Sequence, residues 1–170
     1  MQGKEIRKMV YHQYEQGFHC AEAIARTVLG RFSGEPHPEA IKIASGFGGG
    51  IAGSTRELCG AFTGGVIALG CLLGRELPST GLKDFATVTK EFRQRFLDTF
   101  GELTCHRILE RSDRQQNPYG CVKLTAQAAV MVCALLGELE ARRQLDLIAK
   151  RTLPVEMITA GQCPFGGCAC

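Results

Sequence analysis

Among the side chains of this 170-residue chain, its nine cysteines offer the most chemistry. Four of them, Cys20, Cys59, Cys105 and Cys121, each stand where a helix is expected to begin. Cys20 follows Gly17-Phe18-His19, and Cys59 precedes Gly60-Ala61. Cys105 follows Gly101 and Thr104, and Cys121 follows the turn Asn117-Pro118-Tyr119-Gly120. A helix N-terminus presents unpaired N–H groups and a partial positive charge. A sulfur placed there is stabilised as the thiolate, which is the form that attacks disulfides and binds soft metals. Cys71 and Cys133 lie inside apolar helical stretches and read as inert core thiols.

Such a set has several uses. Four thiolates suffice for an iron–sulfur cluster, here of the two-iron (2Fe-2S) type. Alternatively, one low-pKa cysteine attacks and a neighbour resolves, cycling between dithiol and disulfide. Cys59 is the expected attacker, because glycine and alanine beside it leave its sulfur uncrowded. A third reading is structural zinc on the same four residues. The bland one is a helical interaction module with buried, unreactive thiols and no metal. No C-x-x-C pair occurs, so thioredoxin-type, zinc-ribbon and ferredoxin-type motifs are absent, and the lack of C-x-x-C-H excludes covalent haem. His12, His19, His37 and His106 stand singly. His19 and His106 adjoin cysteines, but a solvent-facing role is expected for each.

Composition frames these options. Hydrophobic residues are 45% and charged residues 22%, as in an ordinary folded domain. A net charge of +3 without a basic run gives no reason to expect a nucleic-acid partner. The first residues, Met1-Gln2-Gly3-Lys4-Glu5, hold no apolar stretch, so no secretory signal is expected. The longest uncharged run, Leu58 to Gly74, is glycine-rich and reads as a core helix rather than a membrane span. A cytoplasmic protein follows, and in a reducing compartment cysteines favour redox or metal chemistry over static disulfides.

The elements that must position the cysteines are helical. Ile6, Met9, Val10 and Tyr14 mark a first helix closed by Gly17, and Ala21 to Leu29 a second ending near Gly30. Pro36 and Pro38 open a short helix through Ile43, followed by the loop Gly46 to Gly53. Further helices are predicted from about Gly60 to Leu73, through Phe85, Val88, Phe92 and Phe96 up to Gly101, and over Thr104 to Glu110. The last is predicted from Cys121 to Arg151, stopped by Pro154. No segment alternates like a strand. The expected fold is all-α, a single helical bundle of five to seven helices over 1–153 with a cysteine-rich tail over 154–170. That tail carries Cys163, Cys168 and Cys170, a candidate resolving arm, ligand set or disulfide pair. Gly60, Gly64 and Ala68, spaced by four, form a smooth strip that a neighbouring backbone or a cofactor could approach. Gly48 to Gly53 satisfies G-x-G-x-x-G, but a dinucleotide site needs a flanking strand and a parallel sheet. A loop passing close to a buried site is expected instead.

Cys59-Gly60-Ala61-x-x-Gly64 resembles the signature of the redox-active C-GCAxxG-C-C family. Phe18-His19-Cys20-Ala21-Glu22-Ala23, the loop Gly46 to Gly50, Cys105 and Cys121 complete the pattern, which spans about Tyr14 to Gly137. The resemblance implies redox chemistry through four shared cysteines, which here map to Cys20, Cys59, Cys105 and Cys121. The chain is also distantly similar to the non-haem part of split-Soret cytochromes, dimeric proteins with an iron–sulfur centre besides haem. That similarity implies a cluster and, together with the small-residue strip, a homodimer. The missing haem-attachment motif leaves no haem to transfer. Neither resemblance names an electron donor or acceptor, nor whether the chemistry is enzymatic.

Overall fold

The structure is a computed structural model describing residues 2–34, 37–111 and 120–143. Among these residues there are seven α-helices and no strand beyond one isolated bridge. They are α1 (Gln2–Glu15), α2 (Cys20–Phe32), α3 (Pro38–Ser45), α4 (Gly60–Leu73), α5 (Lys83–Phe100), α6 (Cys105–Arg111) and α7 (Gly120–Arg143). The all-α reading holds. The predicted extension of the last helix to Arg151, and the tail cysteines Cys163, Cys168 and Cys170, lie outside the described residues.

Local chemistry sets most boundaries. At the head of α2 the His19 backbone N–H donates to Glu22 Oε2 at 2.9 Å, satisfying one of the orphan donors of a helix start. The helix does not stop near Gly30 as the sequence suggests. It runs to Phe32, and the turn to left-handed backbone comes at Gly34, φ 69°. Gly30 is exposed, and a glycine weakens a helix without ending it unless the chain there needs positive φ. At the end of α5, Gly101 does adopt that conformation (φ 74°) and closes the helix where predicted.

Helices α2, α4 and α7 touch one another and form the centre of the bundle. Helix α1 packs on α2 and α7, α3 on α2 and α4, and α5 on α4 and α7. Phe62 of α4 stacks on Phe92 of α5 at 5.4 Å between ring centres and meets Phe96 edge-on at 5.4 Å. The small-residue strip is consumed inside this packing. A methyl group at Gly64 would overlap Ala21 O of α2 and sit 2.6 Å from Ile24 Cγ2. The strip therefore seats helix α2, not a second chain, and it no longer argues for a dimer.

Gly120–Arg142 is long and apolar enough to cross a membrane by length and composition, and 61% of its most apolar window is buried inside the protein. Helix α4, the predicted core helix, buries Gly60, Ala61, Phe62, Gly64, Gly65, Ala68, Leu69 and Leu72.

Candidate functional site

Three local devices bring the four helix-start cysteines together. The first is an antiparallel bridge between Leu58 and Thr104. In it the Cys59 N–H donates to Leu103 O at 2.7 Å and the Cys105 N–H donates to Glu57 O at 2.8 Å. The start of α6 is thereby tied beside the start of α4. The second is Gly60. A methyl group there would overlap Cys20 Sγ and lie 2.7 Å from Phe47 O, so only glycine lets the Cys20 sulfur rest against α4. The third is the glycine loop, whose Gly49 N–H donates to Cys20 Sγ at 3.5 Å. Gly50 turns that loop with φ 77°, and a methyl on it would sit 3.1 Å from the Thr55 backbone.

The result is one cavity of about 40 Å³ lined by Cys20, Cys59, Cys105 and Cys121. Gly49 and Thr125 complete its polar wall, and Ile108, Leu109 and Leu124 its apolar one. Thr125 Oγ1 donates to Cys121 O at 2.8 Å and lies 2.9 Å from the Tyr14 hydroxyl oxygen. Of the four cysteines, Cys121 alone is exposed; Cys20 is half-buried, and Cys59 and Cys105 are buried.

Burial reverses one expectation. Helix starts were expected to lower the thiol pKa, yet the Cys59 thiol is pushed up to about 12, first by burial and then by neighbouring Cys20 and Cys105. The backbone N–H groups of Ala61 and Phe62 pull the other way without winning. Cys105 is pushed up to about 11, again first by burial and then by Cys20 and Cys121. The magnitudes explain the order. A helix terminus contributes about 0.3–1 kcal/mol, whereas desolvating a buried charge shifts a pKa by up to about 3–5 units. Nor is Cys59 uncrowded: it is 7% exposed. Glycine and alanine beside it let other helices close over the sulfur.

The remaining predicted residues are dispersed. Cys133 is buried inside α7, its thiol pushed up to about 12 by burial, as suits an inert core position. Cys71 is half-buried against the core. His19 is exposed as expected; His106 is half-buried, with its Nδ1 buried and without a hydrogen-bond partner. Among the described residues no two cysteines are joined by a disulfide, and no three Cys, His, Asp or Glu side chains converge tightly enough to clasp a single ion. The G-x-G-x-x-G segment has no flanking strand and serves the Cys20 sulfur. Thr125 is a wall residue that spacing did not single out, and Tyr14 stands behind it through the hydroxyl contact. Tyr14 sits on the apolar stripe of α1, where it resembles any core aromatic.

A helical bundle that delivers four thiols from four helix starts into one small cavity defines an all-α, cysteine-centred protein. The chain belongs to the family described as putative redox-active protein (C_GCAxxG_C_C), whose model matches residues 18–135. No curated protein and no solved structure matches the chain.

Proposed function

We propose that Cys20, Cys59, Cys105 and Cys121 act as a single redox centre in a cytoplasmic electron-transfer protein, and that the centre carries a two-iron iron–sulfur cluster. One observation carries the reading: all four cysteines line the same cavity. The donors suit the group. They are soft thiols, and a backbone N–H already points at the Cys20 sulfur, an interaction that tunes cluster potentials. Four thiolates shared between two irons need not meet at one point, so a cluster asks for less convergence than tetrahedral zinc. The void of about 40 Å³ is ion-sized, so loading requires its wall to open, most easily at exposed Cys121. When bound, the cluster supplies one-electron transfer. The chain's own contribution is to exclude water at Cys59 and Cys105 and to support negative charge on Cys20 through Gly49.

A second reading, thiol–disulfide exchange, is favoured by the exposure of Cys121. Its thiolate would attack a partner disulfide, expelling one partner sulfur as thiolate. An inner cysteine thiolate would then attack the Cys121 sulfur, releasing the second partner thiolate. Two electrons pass to the partner and a disulfide stays in the chain.

Anaerobic purification with visible absorption, iron and acid-labile sulfide analysis separates the readings. Iron with sulfide and visible colour is the expected result. A colourless zinc protein overturns the cluster. A metal-free protein that forms a disulfide between Cys121 and an inner cysteine supports exchange. Four slow thiols with no metal overturn both.

A further inference from the structure

Residues of α1, α2 and α3 line an open cavity of about 390 Å³ that shares no residue with the four-cysteine cavity. Its volume falls in the range of small-molecule sites, about 300–1,000 Å³. Met9, Leu29, Pro38 and Ile41 supply apolar surface, and Gln13, Arg26 and His37 supply polar groups. The arginine is held in place. Arg26 Nε donates to Gln13 Oε1 at 2.6 Å, and its guanidinium carbon lies 4.3 Å from the centre of the Phe18 ring. These contacts fix the plane of the group and leave its terminal N–H donors uncommitted. Among the described residues no carboxylate pairs with Arg26. Glu39, at the adjoining start of α3, pairs with Lys42 instead.

A half-buried guanidinium ordinarily meets an acid, because a charge taken out of water is costly to leave unmatched. The groove between α5 and α7 is the ordinary case. There Arg95 donates to both carboxylate oxygens of Glu138, at 3.0 and 3.1 Å, so its charge is already matched. The α1–α2–α3 cavity has the arginine without the acid. Its His37 also has an Nε2 buried without a hydrogen-bond partner. In the tautomer that carries its proton on Nε2, the imidazole is a further donor.

We propose that this cavity binds a small organic anion, a carboxylate or a phosphate ester. The Arg26 fork and the His37 imidazole hold its charged end, and its apolar body rests on Met9, Leu29 and Ile41. A planar guanidinium matches the oxygens of either group with two parallel hydrogen bonds. Binding there needs nothing from the cysteine centre.

Amide chemical shifts of the full chain, followed during titration with hexanoate and with phenyl phosphate, test the site. Hexanamide is the uncharged control. A Kd on the order of 1 mM is expected for at least one of the two anions, with shifts centred on the cavity residues. Tighter binding of hexanoate marks a carboxylate site, and tighter binding of phenyl phosphate a phosphate-ester site. Hexanamide and the Arg26→Gln variant should each bind at least about ten-fold more weakly, the size of a hydrogen bond to a charged group. Gly30→Leu leaves Arg26 in place and fills the cavity from its wall. A methyl at Gly30 would meet nothing within 4 Å, so this variant keeps the fold, and it should lose the shifts even if Arg26→Gln does not fold. An absence of cavity shifts with both anions up to about ten times the expected Kd overturns the site. So does wild-type affinity in Arg26→Gln or Gly30→Leu. Hexanamide binding as tightly as hexanoate and phenyl phosphate overturns the anion.

Discussion

Cys59 stands between two opposing fields, and the balance decides what it can do alone. The α4 N-terminus favours the thiolate, but burial opposes it more strongly and holds the proton on. Buried thiols crowded together cannot all ionise unless a cation joins them, which is the electrostatic argument for a metal-holding set. In the reduced, metal-free chain, iodoacetamide at pH 8 should therefore modify, among the four cavity cysteines, exposed Cys121 first and Cys59 last, as a time course by mass spectrometry would show. Cys59→Ser should abolish cluster loading or thiol exchange; unchanged iron content and exchange rate would sink the central assignment. The same burial makes stability pH-dependent. Below the ordinary thiol value of 9.0 the proton is on in both folded and unfolded chains, so the contribution of Cys59 is fully present. As pH rises from there toward about 12, the unfolded thiol ionises and the buried one does not, so stability is lost. The loss reaches about 1.4 kcal/mol per pH unit per thiol. Denaturant midpoints measured from pH 8 to 11 should fall more steeply in wild type than in Cys59→Ala.

At the scale of elements, two glycines of α4 have different partners. Gly60 admits the Cys20 sulfur, and Gly64 admits the α2 backbone at Ala21 O. Gly64→Ala gains helix propensity of about 1 kcal/mol but drives a methyl into rigid backbone. A net loss of about 2 kcal/mol, or about 6 °C in Tm, is expected by thermal melting. Gly30→Ala is the opposite case, since its methyl would meet nothing within 4 Å in a helical position. It should raise stability by about 0.5–1 kcal/mol. Gly60→Ala should displace the Cys20 sulfur, and lost cobalt(II) binding in an otherwise folded protein would show it.

For the whole molecule, the site staples helices that are far apart in sequence. Its cysteines come from the starts of α2, α4, α6 and α7, so a group bound by all four couples those helices and binds only the folded chain. Such binding stabilises by mass action, about 2.7 kcal/mol when the free ligand stands at a hundred times its Kd. Loading should therefore raise Tm by about 5–10 °C, and a chelator should reverse it. A Tm indifferent to both would argue that the four cysteines do not hold one group together.

Helix number, most helix ends and the separation of Cys20, Cys59, Cys105 and Cys121 from Cys71 and Cys133 were legible in the sequence. They depend on local physics: apolar spacing of three and four, and glycine at Gly101 adopting positive φ. The Cys-Gly-Ala core and its companions also pointed to the redox-active family that the chain belongs to. What the sequence by itself did not determine was decided by contacts between distant segments. The Leu58–Thr104 bridge has no alternating pattern to announce it, because one bridged pair is too short to have a period. The partner of the small-residue strip could not be read from α4 alone, because a smooth face fits any close neighbour. The raised thiol pKa of Cys59 and Cys105 needed the tertiary structure most. Helix position is a property of sequence, but desolvation is a property of what packs over the sulfur, and burial outweighs the helix terminus.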